Sequence, residues 1–227
     1  MARLTSLNNT IQGAVYDKLK KDIITLQFLP GTVISTQEIA DEMNVSRTPV
    51  REAFLQLQRE DLVETVPQKL TIVSRINLNL VEQERLLRES LEVAAIPLFL
   101  KNCTPEVMAK LQDNLKMQRR MMLQKDAARF IEYDNAFHGI ILSAAGQDLF
   151  WRVITLHSGH YNRIRTLTVQ DEGISLAAFQ QHEHMIQLME RREEEALCRE
   201  FQCHVRKLHR EKEDLIRQYS SYFVQNS

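Results

Sequence analysis

Six glycines and five prolines are all the helix breakers in this chain of 227 residues. Inside a helix, Gly costs about 1 kcal/mol and Pro about 3 kcal/mol relative to Ala. A chain this poor in both can run long helices with few turns, so a mostly α fold is expected. Hydrophobic residues make up 44% and charged residues 26%, enough to bury a sizeable core. Cys103, Cys198 and Cys203 are odd in number and show no CxxC spacing, so free thiols in a reducing compartment are expected. No stretch approaches the roughly 20 apolar residues that span a bilayer, and the N-terminus has no apolar signal-like run. A cytoplasmic protein with no membrane partner is the expectation.

Hydrophobic spacing orders the chain. Ile11, Val15, Leu19, Ile23 and Ile24 recur at helical intervals, so a helix is expected over about 10–27, stopped by Pro30-Gly31. Ser35-Thr36-Gln37-Glu38 is a capping-box pattern that opens a short helix over 36–43. Ser46 caps a third helix over 47–60, with Pro49 in its first turn, where the missing N–H costs nothing. Two β-branched runs, 62–66 and 70–73, flank Pro67-Gln68-Lys69 and form a two-stranded wing. Three helices followed by two strands make a winged helix-turn-helix over 1–74, with a linker at 75–78. Beyond it the pattern is helical throughout, over 78–101, 104–124, 126–145, 147–168, 175–191 and 193–222. An all-helical domain of six to seven helices over 79–227 is expected.

Net charge is −1, and residues 1–76 carry nine basic against nine acidic side chains. DNA contact must therefore rest on where charges sit, not on their sum. Ser46, Arg47, Thr48 and Arg51 cluster at the first turn of the third helix, the end that a helix-turn-helix inserts in the major groove. Arg47 and Arg51 are four apart and share a face. An Arg fork can read guanine O6 and N7, while hydroxyls and helix N–H groups suit phosphate. By spacing alone, the same residues could simply cap a surface helix. Ser35, Thr36 and Lys69 complete the expected DNA-binding set.

The segment resembles the DNA-binding domain of the GntR family in Pro30-Gly31, Ile39-Ala40 and the nine residues Val45-Ser46-Arg47-Thr48-Pro49-Val50-Arg51-Glu52-Ala53. The resemblance implies that Arg47 and Arg51 contact bases, and that Ser46 and Thr48 contact phosphates or bases. Asp61 stands where the family usually has Gly, and Lys69-Leu70 where it usually has Arg-Gly. Losing the wing Gly removes a close backbone approach to the minor groove. Lys69 remains within reach of phosphate.

In the helical region, Asp134 and His138 are spaced i, i+4 and point the same way. His182 and His204 fall on consecutive long helices, and His184 competes with His182. Three imidazoles and a carboxylate suit a divalent first-row metal, although hydrogen-bonded core residues explain the same spacing. The region resembles the FCD effector domain of the FadR branch of GntR regulators, in Arg88-Glu89-Ser90-Leu91-Glu92, in Asp134-x3-His138-x2-Ile141 and in the His182…His204 pair. The resemblance implies that Asp134, His138, His182 and His204 hold a metal (Zn, Ni or Mn) beside a small carboxylate effector.

Arg88 is the expected effector partner, its alternative role being an i, i+4 pair with Glu92. Arg163 and Arg165 are further pocket candidates, and His157 and His160 are expected at the surface or a hinge. A homodimer on a palindromic operator of double-stranded DNA follows from two-fold geometry. The whole reads as a ligand-responsive transcription regulator and not an enzyme. The competing class is a helical metalloenzyme with an incidental N-terminal domain.

Overall fold

The structure is a computed structural model that describes residues 10–66, 70–206 and 212–225. Lys69 lies outside the described residues. The chain divides into two compact units, one of Met1–Leu78 with Tyr219–Ser227 and one of Asn79–Gln218.

In the first unit, helix α1 (Ile11–Ile24) begins at Thr10, whose hydroxyl accepts from Gly13 N. Val15, Leu19 and Ile23, spaced by four, are fully buried. Each such side chain contributes roughly 1.5–3 kcal/mol by leaving water. They pack with Ile39 and Ala40 of α2 (Thr36–Glu42) and with Val50, Ala53, Phe54 and Leu57 of α3 (Arg47–Arg59). Strands β2 (Val63–Val66) and β3 (Leu70–Val73) form the antiparallel wing. A third strand joins it: β1 (Val33–Ile34) pairs with β3, giving the order β1-β3-β2. Two residues are too few to show an alternating pattern, so this strand was invisible in the sequence.

Asp61 has φ 56°. That left-handed conformation suits the Gly of the family pattern, and Asp is among the few other residues that tolerate it.

The first unit also takes in the far end of the chain. Ser220–Tyr222 forms a 3-10 turn, and Phe223 pairs with Ile76 in a parallel bridge. Ile76 N donates to Tyr222 O at 2.8 Å and Val224 N to Ile76 O at 3.0 Å. Arg75 Nε donates to Ser221 O. Ile76 and Phe223 are both buried. The helix expected over 193–222 does not reach its end as α-helix: Ser220–Tyr222 is a 3-10 turn, and Tyr219–Ser227 groups with the first unit. This pairing joins residues 147 apart in sequence, which no local periodicity reports.

The second unit is helical throughout its described residues: α4 (Leu78–Asn102), α5 (Pro105–Leu123), α6 (Ala127–Ala144), α7 (Asp148–Leu156), α8 (Gly159–Thr168), α9 (Glu172–Arg191), α10 (Glu194–Arg206) and α11 (Lys212–Gln218). Thr104, Asp126 and Asp171 cap α5, α6 and α9 with side-chain bonds to backbone N–H groups. The core joins Ile96 and Phe99 of α4, Phe137 and Ile141 of α6, Met185 and Met189 of α9, and Leu197 and Phe201 of α10.

The single helix expected over 147–168 is two. The chain breaks at His157 and Ser158, whose φ/ψ are −116°/48° and −134°/21°. The break frees α8 to take a different path, with all ten of its residues buried. His157 is exposed at this hinge, but His160 is buried, not at the surface.

Candidate metal centre and nucleic-acid interface

Helix α8 is polar yet wholly buried, so its side chains must find partners. Tyr161 N donates to Glu84 Oε2 at 2.6 Å, and Arg165 Nη1 donates to Asn135 and Asn162 at 2.8 and 2.9 Å. Arg165 Nη2 donates to Asp134 Oδ2. Asp134 is one turn before His138 on α6, and across from them stand His182 on α9 and His204 on α10.

One ligand atom from each of Asp134, His138, His182 and His204 lies within 4.8 Å of the others. His182 Nε2 and His204 Nε2 are 3.2 Å apart, and they stand 3.6 and 3.7 Å from Asp134 Oδ1. Asp134, His138 and His182 are at most 1% exposed. His184 points elsewhere, exposed beside Glu200.

Each imidazole meets an oxygen on its other nitrogen. His182 Nδ1 is 2.7 Å from Gln118 Oε1, and His204 Nδ1 is 3.2 Å from Gln181 Oε1. His138 Nδ1 is 2.9 Å from Glu92 Oε2, a close contact whose angles miss hydrogen-bond alignment. Glu92 also accepts from Arg88 Nε at 2.8 Å.

Charge is balanced inside the unit. Burial, the largest single influence, would raise the Asp134 carboxyl, but the Arg165 guanidinium and the neighbouring His204, His182 and His138 together outweigh it and hold Asp134 well below the usual range. Burial pushes His138 down to about 4 and His182 well below its ordinary value. Both imidazoles are therefore neutral near pH 7, the form that binds metals.

The donor set fits a divalent transition metal: three imidazoles and one ionised carboxylate converge on one point. His138 Nε2 is fully buried and has no hydrogen-bond partner. A buried nitrogen left in that state is costly unless a further group meets it.

Arg88 and Arg163 differ in placement. Arg88 is buried on α4, with Nη2 3.7 Å from Asp134 Oδ2 and without a hydrogen-bond partner. Arg163 is fully buried, but it bonds Gly159 O and His160 Nδ1. Its neighbour Arg165 is the α8 arginine that reaches Asp134. Sequence reasoning named Glu92 only as a partner for Arg88, the bond now seen, and passed over Gln118 and Gln181. Gln118 did leave a signal: with Asn114 it interrupts the buried stripe Leu111…Met121 of α5 at core spacing.

In the first unit, Arg47, Thr48 and Arg51 are exposed at the start of α3, and Ser46 caps it without a side-chain bond. A groove of about 700 Å³ runs between α2, α3 and the wing, lined by Ser35, Thr36, Arg47, Arg51, Thr65 and Thr71. Arg47 Nε donates to Gln37 Oε1, leaving the paired terminal nitrogens of the guanidinium for other partners. Leu70, at the wing, is 46% exposed.

Residues 11–73 match the family described as bacterial regulatory proteins, gntR family, and residues 85–207 match the FCD domain. An HTH-type transcriptional regulator from an unstable DNA locus of Streptomyces ambofaciens is 35% identical over 165 residues, 73% of this chain and 69% of that one. The HTH-type transcriptional repressor RspR of Escherichia coli K12 is 27% identical over 96% of this chain and 97% of its own. Among solved structures, E. coli McbR/YncC shares the fold with a TM-score of 0.79 at 19% identity, over 92% of this chain and 99% of that one. No helix among the described residues is long and apolar enough to cross a membrane. The chain belongs to the GntR family of bacterial regulatory proteins, in its FCD-bearing FadR subfamily, and is a DNA-binding transcription regulator with an effector-binding C-terminal domain.

Proposed function

We propose that this regulator is a cytoplasmic homodimer whose hold on a palindromic operator is set by a small carboxylate bound beside a divalent transition metal in the helical unit. The observation that carries the metal reading is the convergence of Asp134, His138, His182 and His204 within 4.8 Å, buried, with His138 Nε2 unpartnered. A metal held there by Asp134, His138, His182 and His204 would supply a Lewis acid able to take an oxygen ligand. Arg165 keeps Asp134 ionised and oriented. Arg88, with Nη2 unpartnered, is the cation best placed to pair with an effector carboxylate, and its planar fork matches that geometry. Arg163 is tied to His160 and would reach an effector only by giving up that bond.

On DNA, Arg47 and Arg51 are assigned to base edges. Ser46, Thr48, Ser35 and Thr36 are assigned to phosphates along the groove, with Lys69 as a further phosphate contact. Effector binding shifts operator affinity only as far as it favours one state of the dimer over the other.

Metal content measured by plasma mass spectrometry on protein purified without chelator tests the centre, with His138→Ala and His204→Ala alongside. Near-stoichiometric metal lost in both variants is the expected result. A metal-free wild type, even after reconstitution, would sink the reading. Operator affinity that no carboxylate changes in metal-loaded protein would sink the effector part alone.

A further inference from the structure

An imidazole offers a lone pair to a cation only from the ring nitrogen that lacks a proton, so the bond made by the other nitrogen decides whether it can bind. For His182 that bond goes to α5. Gln118 is fully buried, with Oε1 2.7 Å from His182 Nδ1. Its own Nε2 donates to Asn114 Oδ1 at 2.8 Å, one helical turn earlier. This second bond occupies the amide nitrogen and turns the oxygen towards the ring. An amide oxygen only accepts. His182 Nδ1 must then carry the proton, and a neutral ring has no second one for Nε2.

The opposite nitrogen is thus a bare lone pair, 3.2 Å from His204 Nε2 and 3.6 Å from Asp134 Oδ1. His204 Nδ1 lies 3.2 Å from Gln181 Oε1. A lone pair and a carboxylate facing one another repel unless a proton on His204 or a cation lies between them. Nor does packing account for Gln118. An apolar side chain of similar volume would fill the Leu111…Met121 stripe of α5 without burying an amide.

We propose that Gln118, held by Asn114, is a positioning residue that fixes the tautomer of His182 and so tunes the affinity of the centre for its cation. This rests on the metal reading above, but the tautomer can be tested without metal.

The test uses full-length protein stripped with chelator and titrated with Co(II) against a competing chelator. Gln118→Met removes the acceptor at similar volume. It should lose about 10- to 100-fold in Co(II) affinity, and because it strands Asn114 and the His182 Nδ1–H the metal-free protein should melt lower than wild type while still folding. Gln118→Glu restores an acceptor and should return affinity to within a few-fold of wild type or better. Long-range ¹H–¹⁵N spectra of the metal-free proteins should show His182 protonated on Nδ1 in wild type and Gln118→Glu, and a tautomer mixture in Gln118→Met. A Met variant that binds Co(II) like wild type, or keeps the Nδ1–H tautomer, overturns the proposal. So does a Glu variant as weak as Met. If wild type takes up no Co(II), the metal reading fails and the spectra alone decide the role of Gln118.

Discussion

The two units put polar function in opposite places. In the DNA-binding unit, an apolar core of α1, α2 and α3 does the folding, and Arg47, Thr48 and Arg51 stand outside it in water. In the helical unit, the functional polar groups are part of the interior: Asp134, His138, His182, Arg88 and Glu92 are each at most 1% exposed. Surface function can change without touching stability. Interior function cannot, because every substitution there also strands a neighbour. The first design suits a reading head whose target sequence drifts; the second suits a sensor whose chemistry must stay fixed.

Asp134→Ala should break this contrast most visibly if it is wrong. It leaves Arg165 without its buried carboxylate partner, which should cost about 3–5 kcal/mol. Trp151, the single tryptophan, lies on α7 of the helical unit, so its fluorescence in a denaturant titration reads that unit directly. A midpoint unchanged from wild type would mean that the interior network carries no load.

Phe223→Ala comes next, at about 3 kcal/mol for an emptied aromatic site. The loss should appear as faster hydrogen exchange in α1–α3, with the tryptophan signal unaffected. Uniform exchange in both units would show that the return segment does not belong to the first unit alone.

Arg51→Ala sharpens the other side of the comparison. Operator affinity should fall by about 1–3 kcal/mol, with relaxed preference at one base of each half-site, and with no change in melting. A drop in stability would place Arg51 in the fold instead of the interface.

Acid should separate the units without mutation. All seven histidines lie within 138–209, and none in residues 1–78. Burial lowers His138 from 6.5 to about 4 in the folded state, so between those values the unfolded chain binds a proton that the folded one refuses. Stability of the metal-free helical unit should therefore fall as pH drops from 6.5 towards 4, and recover as it rises. The DNA-binding unit should show no histidine-linked loss above pH 5. The smallest effect is expected for His184→Ala: within about 0.5 kcal/mol and with metal content unchanged, because this ring is exposed beside Glu200.

Legibility from sequence followed the range of each interaction. Asp134 and His138 could be paired by eye because i, i+4 is local. His182 and His204 required only that two consecutive helices run side by side. The recognition helix, with Ser46, Arg47, Thr48 and Arg51 at its head, was readable from caps and apolar spacing. Gln118 was not, since it comes to the centre from α5 and no spacing links it; Arg165 was named only as a pocket candidate and Glu92 only as a partner for Arg88, without their contacts to Asp134 and His138. The break at His157-Ser158 was hidden because the apolar rhythm continues across it. Arg163 and Arg165 were named together as pocket candidates, but alternate positions on a helix face different ways, and only Arg165 bonds Asp134.

The bridge between Ile76 and Phe223 also has a consequence in time. A ribosome adding 5–20 residues per second needs roughly seven to thirty seconds to travel from one partner to the other. Throughout that interval α1, α2 and α3 are complete, yet Ile76, later fully buried, lacks its bridge partner Phe223. The part made first is therefore closed only after the whole helical unit has been translated, so an interrupted nascent chain carries a reading head that has not been finished.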